Sequence, residues 1–425
     1  MLDIQLFREN PDLVREGLTK RHQEILPVDE VIQLDQKRRD LIQEVELLRA
    51  DRNQGSEEIS QIKDPDLRQN KIASMRAVGD QIDGLESDLR VVEEELHNLL
   101  AIFPNLPDDR VPVGLDETEN ELIKKPGKLP KYKFEPQAHW DLGPTLGILD
   151  FERGTKLSGT RFYVLNGAGA RLQRALISFM LDTHIRHGYQ ERYTPFMVKE
   201  EILFASGQLP KFGGNLYHDH EEDFWWVPTA EVPLTGLHKD EILEEEVLPL
   251  KYAAYSPCFR REKMSAGREV RGIKRGHQFD KVEMYIYCKP EESEEQFQRM
   301  VEDSERICQA LALPYRINKL CTGDLSFAAA FTYDIEVWAA GCGEWLEVSS
   351  ISNTRDFQAR RAGIRYRPEG SKNTRFVHTL NGSGLALPRV MIAVLENNQQ
   401  ADGSVVIPEV LLPWMGGIEV IEPQK

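Results

Sequence analysis

Cysteine is scarce in this sequence of 425 residues: Cys258, Cys288, Cys308, Cys321 and Cys342 are the only five, and no two form a Cys-x-x-Cys pair. An odd, widely spaced set excludes a disulfide framework and a structural zinc knuckle, and it fits a reducing compartment. No stretch approaches the ~18 consecutive apolar residues of a membrane span. The opening MLDIQLFRENPDL mixes charges where a signal peptide has an apolar region, so a cytoplasmic chain without a membrane partner is expected. Positive charge is in deficit, with 53 Lys and Arg against 70 Asp and Glu and a net charge of −17. That balance excludes broad attraction to phosphate backbones. A local basic patch facing one particular RNA stays compatible, because the field that matters acts within a Debye length of ~8–10 Å. Also missing are a Gly-x-x-x-x-Gly-Lys phosphate loop and a Rossmann glycine fingerprint, so a bound nucleotide would need other chemistry to hold it.

Apolar spacing is what the N-terminal part has in plenty. Val31, Leu34, Arg38, Leu41, Val45, Leu48 and Arg52 form one heptad seam, and Met75, Val78, Ile82, Leu85, Leu89, Val92, Leu96, Leu99 and Phe103 a second. Between them NQGSEEISQIKDPD, with Gly55 and Pro65, reads as a polar break, which predicts a long antiparallel two-helix hairpin. Its second helix, from about Asp66 to Phe103, would run roughly 55 Å. Too thin to bury more than one seam, the hairpin should project as an arm. Acidic residues crowd its base, whereas Arg49, Arg52, Lys63, Arg68, Lys71 and Arg76 gather distally, where a polyanion could be tolerated. An ordinary solvated coiled coil is the alternative.

Residues 104–139, rich in Pro and charge, read as a linker. Beyond them a helix around Ala168–His187 is closed by Gly188. KVEMYIY (281–287) alternates Val282, Met284 and Ile286 against Glu283, Tyr285 and Tyr287, and TYDIEVW (332–338) pairs through a Gly-containing loop with EWLEVSS (344–350). Helices interspersed with antiparallel hairpins predict an α+β domain. The predicted division is 1–103, 104–139 and 140–425.

Chemistry concentrates in CFRREKMSAGREVRGIKRGHQFDKVEMYIY, residues 258–287, a glycine-marked loop between two extended arms. Its arginines beside Phe279 suit an adenine nucleotide, guanidinium to phosphate and ring to base. Arg389 leads an apolar helix, where a lone cation needs an anion. Glu347 and Ser350, at a predicted strand end, form a hard oxygen pair suited to Mg²⁺. Thr229 and Glu231 follow the strand-like run DFWWVP and are predicted to share one strand face.

Together these segments resemble the three signature motifs of class II aminoacyl-tRNA synthetases, and specifically the bacterial-type seryl-tRNA synthetases. GYQERYTP, ending at Pro195, is similar to motif 1, the dimer element; CFRRE through HQFDKVE to motif 2; and GSGLALPR to motif 3. GQLPKF, TAEVPL, EVSSISNTRDFQARR and HTLNGSGLA are similar to stretches peculiar to the seryl enzymes. The resemblance implies an antiparallel-sheet catalytic domain behind a coiled-coil arm that grips tRNA. It implies that Thr229 and Glu231 hold the carboxylate and ammonium of serine, while Glu283 and Ser383 read its hydroxyl. Arg260 would meet the α-phosphate of ATP, Glu262 the adenine end and Phe279 the base. Arg275 and Arg389 would hold the outer phosphates, and Glu347 and Ser350 would ligate Mg²⁺. The implied reaction is adenylation of serine and transfer to tRNA(Ser), and to tRNA(Sec) by the same resemblance, by a homodimer. Departures from the family pattern fall at REVRG (268–272), Lys263-Met264 and Pro388. Two other classes compete: a synthetase-like ligase that charges a carrier protein, whose relatives lack the arm, and a noncatalytic coiled-coil adaptor, which has no use for the arginine and carboxylate set.

Overall fold

Heptad spacing produces two long helices in the computed structural model, which describes residues 1–263 and 270–424. They belong to the first of two compact units, Met1–Pro104 and Asn105–Lys425. Helices α1 (Ile4–Glu9) and α2 (Pro11–Lys20) precede α3 (Val28–Gln61, 34 residues) and α4 (Pro65–Ala101, 37 residues). At ~1.5 Å per residue the long pair spans roughly 50 and 55 Å. Val31 and Val45 of α3 and Ile82, Val92 and Leu96 of α4 are buried along the seam. The antiparallel register shows in its ion pairs: Arg38 to Glu93 (2.9 Å), Arg49 to Glu86 (2.7 Å) and Lys71 to Glu58 (2.7 Å).

The polar break is far shorter than the sequence predicts. Helix α3 continues through Gly55 to Gln61, so only Ile62–Asp64 turn the chain. Gly55 is a notch and not a breaker: a Cβ there would lie 2.1 Å from Met75 Sδ. Asp64 then accepts from the amides of Asp66 and Leu67 (2.9 and 3.1 Å), and Pro65 opens α4 at the position where its missing N–H costs nothing. Phe7 of α1 meets Phe103 edge to face at 5.2 Å. Asp35, buried within α3, receives a two-pronged contact from Arg8 (2.5 and 2.6 Å).

The second unit is built on an eight-stranded sheet. Its strands are β1 (Glu121–Lys124), β2 (Gln190–Glu191), β3 (Leu250–Phe259), β4 (Gln278–Cys288), β5 (Tyr315–Lys319), β6 (Phe331–Ala339), β7 (Glu344–Arg355) and β8 (His378–Ala386). They lie in the order β1-β5-β6-β7-β8-β4-β3-β2, antiparallel throughout except for the parallel pair β2 and β3. The stretch whose composition marks a linker supplies β1, an edge strand. Alternation along β4 is as the sequence predicts, yet both faces are covered. Val282, Met284 and Ile286 join the main core with Leu176 and Phe179 of α6 (Gly167–Arg186), Phe297 and Met300 of α8 (Ser293–Ala310) and Val390 and Val394 of α10 (Leu387–Asn397). Tyr285 and Tyr287 turn to a second cluster with Leu234 of α7 (Glu231–Gly236) and Ala359 of α9 (Phe357–Ala362). A further helix, α5 (His139–Thr145), enters this unit ahead of the sheet's central strands.

Asp35 gives the first unit a stability test. Asp35→Ala removes the partner of Arg8, which is only partly exposed, and is expected to cost about 2 kcal/mol. The measurement is denaturant unfolding followed by helical circular dichroism; a loss below about 0.5 kcal/mol would place the pair among ordinary surface contacts.

Candidate active site

The site is assembled on the Glu283 face of β4. Strand register sets Ser383 of β8 directly opposite Glu283. Glu283 is 2 % exposed and is held by Lys281 Nζ at 2.6 Å, while Thr229 Oγ1 donates to the same carboxylate at 3.2 Å. Lys281 and Glu283 share one face because they are two apart on a strand. The spacing of Lys281 from Glu283 is the one sign of this role in the sequence.

Thr229 and Glu231 do not share a strand face as predicted. The strand there is only Trp225–Trp226, and Pro228, without an N–H, ends the pairing. Thr229 Oγ1 accepts from the Glu231 amide at 3.1 Å and turns the chain into α7. This brings Glu231 to Gln358 of α9, whose Nε2 donates to it at 2.7 Å. Burial, with the Glu283 charge adding to it, pushes the Glu231 carboxyl up to about 7, against opposing pulls from Lys281, Gln358 and Arg260.

Opposite these carboxylates stand three arginines. Arg260, just after β3, donates to Pro228 O at 3.2 Å and lies 5.1 Å from the Phe279 ring centroid. Arg275 approaches Glu262 at 3.4 Å. Arg389, in the first turn of α10, donates to Glu347 O at 2.7 Å and sits 3.3 Å from its carboxylate. Pro388 occupies that same first turn, where a proline leaves the helix intact. Burial works to raise the Glu347 carboxyl, but Arg389, Arg260 and Arg275 outweigh it and hold the group below the usual carboxylate range.

Glu347 and Ser350 are not at a strand end, because β7 runs on to Arg355. The polar residues beyond Ser350 stay in the strand because other elements satisfy them: Asn353 Nδ2 donates to Ser293 Oγ (2.7 Å) and Thr354 Oγ1 to Thr379 O (2.9 Å). Ser350 pairs across the sheet with Asp334, whose Oδ1 is buried without a hydrogen-bond partner.

Every residue that the resemblance assigns to serine, ATP or Mg²⁺ lines one cavity of about 390 Å³, and Lys281 lines it too. The six arm cations are elsewhere, in the first unit. Arg49 and Lys71 are engaged in ion pairs across the hairpin, whereas Arg52, Lys63, Arg68 and Arg76 are exposed. Of the departures in the motif 2 loop, Met264, Arg268 and Glu269 lie outside the described residues.

An antiparallel sheet carrying arginines on a hairpin and at a helix start defines the class II synthetase core. Residues 215–398 match the tRNA synthetase class II core domain (G, H, P, S and T), and residues 1–107 match the seryl-tRNA synthetase N-terminal domain. The chain is 60% identical to the serine–tRNA ligase of Roseiflexus sp. (strain RS-1), covering 99% of each, and 55% identical to that of Chloroflexus aurantiacus (strain ATCC 29366 / DSM 635 / J-10-fl), covering 100% of each. Its structure resembles that of seryl-tRNA synthetase from Pyrococcus horikoshii complexed with ATP, with a TM-score of 0.93 at 39% identity over 100% of both chains. The chain belongs to the seryl-tRNA synthetase family.

Removing Lys281 isolates the buried pair. Lys281→Met leaves the Glu283 carboxylate uncompensated and is expected to destabilise the protein by about 3 kcal/mol. Adding Glu283→Gln should restore most of that loss in a thermal or denaturant double-mutant cycle; additive losses would mean the two side chains act independently.

Proposed function

We propose that this chain is a serine–tRNA ligase, which activates L-serine with ATP to seryl-adenylate and transfers the seryl group to the 3′ end of tRNA(Ser). The observation that carries the reading is the polarity of the cavity. Carboxylates Glu231 and Glu283 face arginines Arg260, Arg275 and Arg389 across one volume, a match to an ammonium-bearing amino acid joined to a polyphosphate. Relatives named serine–tRNA ligase over nearly their whole length support it.

In this reading Glu231 takes the serine ammonium and Thr229 its carboxylate, while Glu283 and Ser383 receive the hydroxyl. Glycine or alanine would leave Glu283 without that partner, a strong basis for rejection. Arg260 meets the α-phosphate, Phe279 stacks on adenine, Glu262 faces its edge, and Arg275 and Arg389 neutralise the outer phosphates. The serine carboxylate attacks the α-phosphorus in line and pyrophosphate leaves, so positioning and charge neutralisation suffice without a protein nucleophile. A hydroxyl of the terminal tRNA adenosine, the 3′ one, then attacks the adenylate carbonyl and AMP departs.

The oxygen donors Glu347 and Ser350, with an unpartnered Asp334 oxygen on the neighbouring strand, fit Mg²⁺ and would hold it, and the ion would supply neutralisation of the polyphosphate charge. Burial, with the Glu347 charge adding to it, drives the Asp334 carboxyl well above its usual value. The arm domain, residues 1–103, would grip tRNA through Arg49, Arg52, Lys63, Arg68, Lys71 and Arg76. The catalytic domain, 140–425, would pair through motif 1 into a cytoplasmic homodimer. Charging of tRNA(Sec) follows where that tRNA exists.

Two assays test the reading together. ATP–pyrophosphate exchange is expected with serine and not with other amino acids, and deleting about Val31–Leu99 is expected to preserve exchange while abolishing charging of tRNA(Ser). Exchange with a different amino acid alone would sink the assignment, and unchanged charging would give the arm another task.

Glu231 predicts a pH signature. An ammonium binds the ionised carboxylate, so with a pKa of about 7 the affinity for serine is complete above pH 7 and falls as pH drops. The KM for serine is expected to rise about tenfold per pH unit below that point. Glu231→Gln should flatten the profile, and a flat wild-type profile would remove Glu231 from the ammonium site.

A further inference from the structure

Behind the arginine wall lies a buried polar cluster that the reaction does not use. His139, the first residue of α5, and Glu396, near the end of α10, are both 0% exposed. Glu396 Oε1 accepts from the His139 amide (2.9 Å) and its Nδ1 (2.8 Å), and from Cys342 Sγ (3.1 Å); Oε2 accepts from the Cys342 amide (2.8 Å). On the other side of the ring, Nε2 accepts from the Ile273 amide at 3.1 Å.

His, Cys and Glu side chains this close can hold a metal ion. The Ile273 contact argues against one. An amide donor at Nε2 requires a lone pair there, which puts the proton on Nδ1, the atom that would have to bind the metal. The imidazole is instead a neutral strut, donating to Glu396 and accepting from Ile273.

What the strut supports is the stretch that ends in Arg275. Gly272 has φ +69°, and a Cβ there would lie 2.0 Å from His139 Nε2, so the chain passes directly over the ring. Trp140, the next residue, stacks under the Arg271 guanidinium at 4.2 Å and faces Lys274 at 5.3 Å. Lys274 O accepts from Arg389 Nε at 3.5 Å. Glu396 lies on the same helix as Arg389, so one buried carboxylate is connected to both phosphate-facing arginines.

We propose that His139, anchored by Glu396 and Cys342, is a positioning residue that sets Arg275, and through Lys274 also Arg389, for the outer phosphates of ATP. This rests on the ATP reading given above. Because it acts on the polyphosphate end, it separates ATP binding from serine binding.

The test is exchange kinetics on the full-length protein, with KM measured separately for ATP and serine. His139→Ala is expected to raise the KM for ATP about tenfold, the equivalent of one lost buried hydrogen bond, and to change that for serine by less than about twofold. His139→Gln, whose side-chain carbonyl can accept from the Ile273 amide, should recover much of the loss. It also serves, with Glu396→Gln, should the alanine variant not fold. In an Arg275→Ala background, His139→Ala should add little further loss. Equal rises in both KM values, or independent effects of His139 and Arg275, would overturn the proposal. So would stoichiometric zinc in the purified protein that disappears in His139→Gln. An Arg275→Ala variant with unchanged KM for ATP would instead bring down the ATP assignment and the positioning role with it.

Discussion

Lys281 Nζ lies 2.6 Å from Glu283 Oε2, with almost no water reaching either side chain. Ions so placed are tolerated only when each meets its partner in good geometry, and the central strands supply that geometry. Residues two apart on β4 point the same way, β8 places Ser383 opposite Glu283, and the turn into α7 aims Thr229 at the same carboxylate. The surrounding packing can be read as what keeps this pair registered. Val282, Met284 and Ile286 fix one face of the strand, and Tyr285 and Tyr287 fix the other.

The same constraint extends across the cavity. A chain without a glycine-rich phosphate loop cannot collect backbone N–H groups around a polyphosphate, so guanidinium groups must do that work. Arginine side chains are flexible, and each here is tethered to backbone or to an acid: Arg260 to Pro228 O, Arg389 to Glu347 O and Arg275 to Glu262. Glu347 stays ionised because three arginines surround it. Glu347 and the arginines around it therefore stabilise each other's charge before any substrate arrives.

Local periodicity made much of this legible in the sequence. Alternation along 281–287 and the heptads of 31–103 are properties of neighbouring residues, and both reappear as a doubly covered strand and a helical hairpin. What was misread had a non-local cause. Gly55 reads as a breaker until Met75 is seen to fill its notch, and the strand reads as ending near Ser350 until Ser293 and Thr379 are seen to satisfy Asn353 and Thr354. Asp35, Lys281 and His139 stand out only in the structure, because their partners lie on other elements or acquire meaning once buried.

Net charge follows the same logic. A total of −17 describes the whole chain, but attraction acts through local fields, and these are arranged differently in the two units. In the catalytic unit the arginines are concentrated on one cavity wall and fixed by neighbours. On the hairpin, Arg49 and Lys71 are neutralised by Glu86 and Glu58, while Arg52, Lys63, Arg68 and Arg76 stay exposed. Fixed, partly buried cations suit a small ligand that must be held in one pose, since their geometry survives and little is lost to ordering. Exposed cations suit a large polyanion approached through solvent, where each contact is weak and selectivity comes from their sum. The same residue type is thus treated in two different ways in the two units.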